Sequence, residues 1–319
     1  MKASIRLLAA LAFACAGNTF AQSYPSHPIK VLVPWPPGQA TDVAARMVAE
    51  RLVPVLGQPL VVDNRPGAGG VVGSEVAAKS PADGYTLLAG SSGPISISPN
   101  VQKVAYEPLK DFAPISLLAV NPFVLVVNPS IPAKSLKELI ALLKANPGKY
   151  SFASSGSGAT SHLMSVLFNM MAGVNAVHVP YKGSSQSITD VVNGQVAYTI
   201  ETVPAVAGLV KADKLRALAV TSAKRAEAMP EVPTIAETLP GYEMFGWIGL
   251  MAPAGTPAAI TERISAETRK IMQDPEIRKR FLAAGMEPAG NTPAEFSEFL
   301  RKQNDRYGSI VKQANVKLD

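Results

Sequence analysis

The feature that most constrains the fold is an alternation of short β-rich runs and amphipathic segments that occurs once and then restarts. Ile29 to Val33 reads as a strand. Ala40 to Leu56 follows, with Val43, Met47, Val48, Leu52 and Leu56 on one helical face. Leu60 to Val62, Val71 to Lys79 and Tyr85 to Ala89 then continue as strand, helix and strand. The same order returns as Tyr150 to Ser154, Ser161 to Met171, Ala176 to Val179, Ile188 to Asn193 and Ala197 to Glu201. A β-α-β-α-β order implies an α/β unit, a mainly parallel sheet flanked by helices. Right-handed crossovers bring the loops after the first and third strands to one edge. Two such units predict two lobes. Two extended joins, Ile115 to Val127 carrying Pro122 and Phe245 to Ala252, read as crossings between them. The helices Ala258 to Met272 and Pro293 to Ala314 then return to the first lobe. The expected division is lobe 1 over 22–120 and 246–319, discontinuous in sequence, and lobe 2 over 121–245, with a cleft between them.

The start of the chain has a different logic. Lys2 and Arg6 precede the apolar run Leu7 to Ala16, and Thr19-Phe20-Ala21 ends it. This is the layout of a secretory signal peptide over residues 1–21, which predicts a periplasmic product. The run is too short to span a bilayer, which takes about 20 apolar residues. Cys15, the one cysteine of the chain, lies inside this leader. Ala12-Phe13-Ala14 before it suits lipid attachment poorly. Cleavage after Ala21 therefore leaves no thiol for disulfides, thiolate catalysis or cysteine-metal sites. The net charge of +6 includes two leader cations, and the remaining Lys and Arg are scattered. That pattern does not argue for nucleic acid, which is not expected as a partner, and mildly favours anionic small ligands.

The loop after the first strand, Pro36-Pro37-Gly38-Gln39-Ala40-Thr41-Asp42, has no catalytic pattern. Thr41 or Asp42 is expected as the N-cap. The first amides of the helix lack internal partners and can hold an anion, with Gly38 and Ala40 leaving the approach clear. An ordinary capped turn accounts for this loop equally well. Lobe 2 repeats the device in Ser155-Gly156-Ser157-Gly158-Ala159-Thr160-Ser161-His162. There, backbone amides and the hydroxyls of Ser157, Thr160 or Ser161 can receive a carboxylate.

Catalysis is not expected. His162 beside Ser161 invites a Ser-His pairing, but neighbours on a helix project about 100° apart, and no Gly-x-Ser-x-Gly elbow precedes them. His27 and His178 fit structural roles. No His, Asp or Glu spacing suits a metal, and no cofactor is expected. Gly67, Gly69, Gly70 and Gly73 fail the dinucleotide fingerprint, since the third glycine falls on Val72. A glycine-rich turn with close helix packing explains them. Tyr181-Lys182 lacks the spacing of a reductase pair.

Val33 to Arg46, "NRPGAGGVVG" (Asn64 to Gly73), "PADGYTLL" (Pro81 to Leu88), "SSGSGATSHL" (Ser154 to Leu163) and "VPYKG" (Val179 to Gly183) occur in this order. "LRALAVTSAKR" (Leu215 to Arg225), "VPTIAE" (Val232 to Glu237) and "WIGLMAPAGTP" (Trp247 to Pro257) follow. Together these stretches resemble the Bug family, extracytoplasmic solute receptors of tripartite tricarboxylate transporters. The resemblance implies a type II periplasmic-binding-protein fold that closes like a flytrap on one carboxylate. It places Gly38, Ala40, Thr41 and Asp42 on one side, and Gly158, Thr160 and Ser161 on the other. It departs at Gln39, where relatives often carry glycine, and at Trp35, where phenylalanine is usual.

The far end of the ligand is expected to meet Ser91-Ser92-Gly93, Tyr181 to Ser184 and Glu201-Thr202. Pro37 and Ser157 complete the expected site. Glu201 suits either an ammonium group of the ligand or a lysine away from the pocket. The expected ligand is a mono-, di- or aromatic carboxylate bound by a monomer. The expected partner is a membrane transporter subunit, with a sensor-kinase ectodomain as the alternative and hydrolysis as a remote one.

Overall fold

A computed structural model describes residues 24–313. The leader expected over residues 1–21, and Cys15 with it, lies outside the described residues. Among the described residues, no helix is long and apolar enough to cross a membrane.

Strands β1 (Ile29–Val33), β2 (Leu60–Asn64) and β3 (Thr86–Ser91) pair in the order β2-β1-β3. All three run parallel. Helix α1 (Ala40–Leu56) and helix α2 (Val71–Ala78) make the crossovers. Helix α1 buries Ala44, Val48, Leu52 and Leu56 on one stripe and ends at Gly57, whose left-handed backbone (φ 74°) closes the last turn. After β3 the chain winds tightly through Gly93–Ile97 and Ser98–Val101. It then runs as β4 (Phe112–Asn121) and, across Pro122, as β5 (Phe123–Val127). One extended segment therefore belongs to both sheets.

Lobe 2 repeats the plan. After helix α3 (Leu136–Ala145), β6 (Ser151–Ser154), β7 (Val177–Pro180) and β8 (Tyr198–Thr202) pair in the order β7-β6-β8, again parallel. Helix α4 (Thr160–Ala172) and helix α5 (Ser184–Val192) connect them. Helix α6 (Val203–Lys211) leads to β9 (Arg216–Val220). The chain then returns through β10 (Gly246–Pro253). Helices α7 (Ala258–Gln273) and α8 (Pro275–Ala283), the short β11 (Glu287–Pro288) and α9 (Pro293–Gln313) finish it. Asp274 separates α7 from α8 by accepting hydrogen bonds from the amides of Glu276 and Ile277, with Pro275 in the first turn.

The six-stranded sheet has the order β11-β4-β10-β3-β1-β2 and the five-stranded sheet β7-β6-β8-β5-β9. Each is mixed, with one central strand running against its neighbours: β10 in the first and β5 in the second. Both reversed strands are crossing segments, because a chain arriving from the other lobe enters from the cleft end. In each sheet the helices diverge to opposite faces at β1/β3 and at β6/β8. Such switch points leave a crevice beyond the strand ends, where ligands of open α/β sheets bind. The two crevices face each other.

Candidate binding site

The two facing loops are built alike, residue for residue. In lobe 1, Gly38 takes a left-handed conformation (φ 84°), Gln39 is the N-cap (φ −75°, ψ 160°) and the helix begins at Ala40. In lobe 2, Gly158 is left-handed (φ 75°), Ala159 is the N-cap (φ −69°, ψ 161°) and the helix begins at Thr160. Neither cap residue makes a side-chain capping bond. The cap expected at Thr41 or Asp42 is therefore found at Gln39. A hydrogen-bonding cap side chain would cover the first amides of the helix. Without one, the N–H groups of the first turn remain open to a ligand.

The third helical residue of each loop braces it from behind. In lobe 1 the Asp42 carboxylate accepts the Gly38 amide at 2.9 Å, Asn64 Nδ2 at 2.9 Å and the Arg46 guanidinium at 3.0 Å. Burial pushes the Asp42 carboxyl up, but these bonds from Arg46, Gly38 and Asn64 outweigh it and hold the group below the usual carboxylate range. In lobe 2 the equivalent position is His162, whose Nδ1 accepts the Gly158 amide at 3.3 Å. An Nδ1 that accepts must be unprotonated. Burial, helped by His178 stacked 4.0 Å away, lowers the His162 pKa to about 3. Burial lowers that of His178 to about 4. The Ser161 hydroxyl accepts the Ser155 amide at 3.0 Å and shares a hydrogen bond with the Ser155 hydroxyl at 2.9 Å. The adjacent Ser161 and His162 are thus engaged with different partners.

Between the loops lies a cavity. Lobe 1 contributes Trp35, Gln39, Ala40 and Thr41 from the first loop and Ser91 and Ser92 from the end of β3. Lobe 2 contributes Ser155, Thr160 and Ser161, with Ser184, Glu201 and Thr202 from α5 and β8. Trp35 is held by its indole N–H, which donates to Ser91 Oγ at 2.8 Å. Among the described residues, no Lys, Arg or His lines this space. Of the residues expected at the site, Ala40, Thr41, Ser91, Thr160, Ser161 and Thr202 meet here. Asp42 and Gly158 stand behind the wall as described. Pro37 and Gly38 line an outer groove with Ser184 and Ser185. Ser157 and Tyr181 line a larger outer cavity with Lys182 and the loop Pro66–Gly70.

The floor of the cavity is made by Asn121, Phe123, Trp247 and Ile248. Sequence reasoning did not place these four at the site. They sit on the two crossing segments, beside Pro122 and at the start of β10, where both chains pass between the lobes. Their position at the crossings was the only available signal.

The lobes touch around the cavity. Ser92 Oγ and Thr160 Oγ1 share a hydrogen bond of 2.8 Å from one lobe to the other. Gly69, in the turn before α2, packs on the backbone of Ser157 and Ala159. The conformation is closed.

A two-lobed α/β molecule with a ligand-sized space at its paired switch points has the architecture of a periplasmic binding protein. The comparisons with known proteins agree. The profile of the "Tripartite tricarboxylate transporter family receptor" matches residues 44–316. Protein BugT of Bordetella pertussis is 40% identical over 308 residues, covering 95% of this chain and 94% of that protein. The solved structure of R. palustris Rpa4515 with adipate is 34% identical, with a TM-score of 0.89 over 92% of this chain and 99% of the other. MatC from Rhodopseudomonas palustris with bound malate is 29% identical, with a TM-score of 0.85 over 90% of this chain and all of the other (100%). The chain belongs to the tripartite tricarboxylate transporter receptor family.

Proposed function

We propose that this protein is a periplasmic receptor that captures one small organic carboxylate between its lobes and presents it to a tripartite tricarboxylate-type transporter. It binds as a monomer and releases the ligand unchanged. The observation that carries the reading is the pairing of two bare helix N-termini, with the same cap geometry, across one cavity without cationic side chains. Helix ends of this kind carry roughly half a positive charge and several free N–H donors. The carboxylates in the Rpa4515 and MatC structures, adipate and malate, support the same ligand class. The moving bodies are the segments 22–120 with 246–319, and 121–245, hinged where the chain crosses. The basic-apolar leader over residues 1–21 directs export.

A ligand shifts the open-closed equilibrium only by its extra affinity for the closed form. Amides of Ala40 and Thr41 from one lobe and of Thr160 and Ser161 from the other reach one carboxylate only when the lobes meet. Mass spectrometry of the protein purified under native conditions should reveal a retained acid. Calorimetry with mono-, di- and aromatic carboxylates should then give a binding heat and return each acid intact. Binding confined to uncharged solutes, or chemical conversion of the bound acid, would refute the proposal.

The Ser92–Thr160 bond exists only in the closed form. Thr160→Val should weaken carboxylate binding by about 0.5–1.5 kcal/mol, with unfolding stability changed far less. Adding Ser92→Ala to it should cost little more, because the same bond is already gone. Additive losses in the calorimetric cycle would mean that the two hydroxyls act separately.

A further inference from the structure

Among the described residues, one ionisable side chain lines the cavity, and its charge has the wrong sign for an acid. Glu201, at the end of β8, is 1% exposed. Its Oε2 accepts the Ser184 hydroxyl at 2.7 Å, while its Oε1 has no partner. Two further buried oxygens of the same lining, Asn121 Oδ1 and Thr202 Oγ1, also lack partners. Buried polar atoms are seldom left unpaired, and those that are require an explanation. Three such oxygens share this cavity with two unpartnered donors, Gln39 Nε2 and Trp247 Nε1, so the lining suits a ligand that carries both donors and acceptors.

Among the described residues, the other residues lining the cavity are uncharged, including Ser184 from α5, Asn121 and Phe123 from the crossing strand, Trp247 and Ile248 from β10, and Gln39 from lobe 1. A plain diacid would bring a second carboxylate into this space with no cation to offset it. Like charges in such a buried space repel far more strongly than they do in water. An ammonium group reverses the sign of that term. It also carries three N–H donors, which match the three unpaired oxygens.

We infer that the ligand is an amino-carboxylate, gripped at its acid end by the paired helix N-termini and at its ammonium end by Glu201, Asn121 and Thr202. This inference rests on the carboxylate-receptor reading. It narrows the ligand to a zwitterion with N–H donors and makes Glu201 the specificity residue. Burial raises the Glu201 pKa to about 7, against the hydrogen bonds from Ser184 and the Thr202 amide. An arriving ammonium therefore drives a proton off Glu201 near neutral pH, whereas a second carboxylate draws one on.

The test is calorimetry of the wild type and of Glu201→Gln, in buffers of differing ionisation heat. The probes are alanine, β-alanine and γ-aminobutyrate, the deaminated acids propionate and butyrate, the diacid succinate, and the trimethylammonium analogue of γ-aminobutyrate. We expect one of the amino acids to bind the wild type most tightly, with proton release. Glu201→Gln should lower that affinity at least about 30-fold while changing the deaminated acid by less than about threefold. The trimethylammonium analogue, which has no N–H, should bind weakly. Tightest binding of succinate with proton uptake, or equal affinity of wild type and Glu201→Gln for the amino acids, would overturn the inference and leave the carboxylate reading standing. Failure of every acid to bind would remove both.

Discussion

Gly69→Asn should lower carboxylate affinity at least about 100-fold and abolish the ligand-induced contraction of the molecule in solution scattering, while Gly57→Asn leaves both intact. The two glycines share a left-handed backbone, φ 64° at Gly69 and φ 74° at Gly57. Asparagine tolerates that conformation better than other side chains, so the backbone cost is small and similar at both sites. The surroundings differ. A Cβ at Gly57 meets nothing within 4 Å. A Cβ at Gly69 would lie 2.9 Å from the Ser157 carbonyl oxygen and 3.4 Å from the Ala159 amide nitrogen, both in the other lobe. Backbone atoms cannot rotate away, so the lobes must stay apart. The open form loses nothing, and the melting temperature of the unliganded variant should stay close to that of its Gly57 counterpart. Equal ligand affinity in the two variants would mean that closure does not bring Gly69 against the second loop.

The second expected result is a stability that falls on acidification through the histidine brace of lobe 2. His162 and His178 are held neutral, with pKa values lowered to about 3 and about 4. In the unfolded chain both titrate near about 6.5. Below that pH the unfolded state binds more protons, so their contribution is complete above about pH 6.5. It is lost, as pH falls, at up to about 1.4 kcal/mol per unit for the buried His162 and at less for His178, which solvent partly screens, down to the folded values. Glu201 acts in the opposite sense. Its pKa is raised to about 7, so its contribution is complete below its unfolded value and is lost as pH rises toward about 7. The wild-type slope is the difference between these effects.

His162→Asn keeps an acceptor near the Gly158 amide, and His178→Gln keeps an amide near Ser154, whose hydroxyl is 2.7 Å from His178 Nε2. Each variant should flatten the acid slope between about pH 6 and about pH 4.5, by up to about 1.4 kcal/mol per unit for His162→Asn and by less for His178→Gln, read from urea unfolding. Glu201→Gln should steepen it. An unchanged slope in the double histidine variant would show that neither ring is kept neutral by the fold.

These results separate what is local from what is not. The β-α-β-α-β alternation, its repetition and the two crossings were legible in the residues, because hydrophobic period and turn chemistry are properties of short windows. The glycine before each helix start was visible for the same reason. The orientation of side chains was not. Asp42 looks like a residue facing a ligand, yet Asn64 from β2 and Arg46 from the next turn draw its carboxylate behind the loop. His162 beside Ser161 looks like half of a catalytic pair, yet its ring turns back to Gly158. Trp247 opens a family-matching stretch and Asn121 ends a strand-like run, yet neither position shows in sequence that its side chain floors the cavity.

The sequence by itself determined the class of fold, the family and the position of two helix starts at strand ends, since these follow from period, glycine-bearing turns and matched segments. Only the tertiary structure decided that those starts face each other and that Gly69 marks a contact between lobes. It alone showed that Glu201 ends in a space with no cation to meet it. Those facts depend on atoms more than sixty residues apart in the chain, as the Ser92–Thr160 bond is, with a separation of 68 positions. No window of sequence contains both partners of such a contact, so its geometry arises only when the crossing strands bring the lobes together.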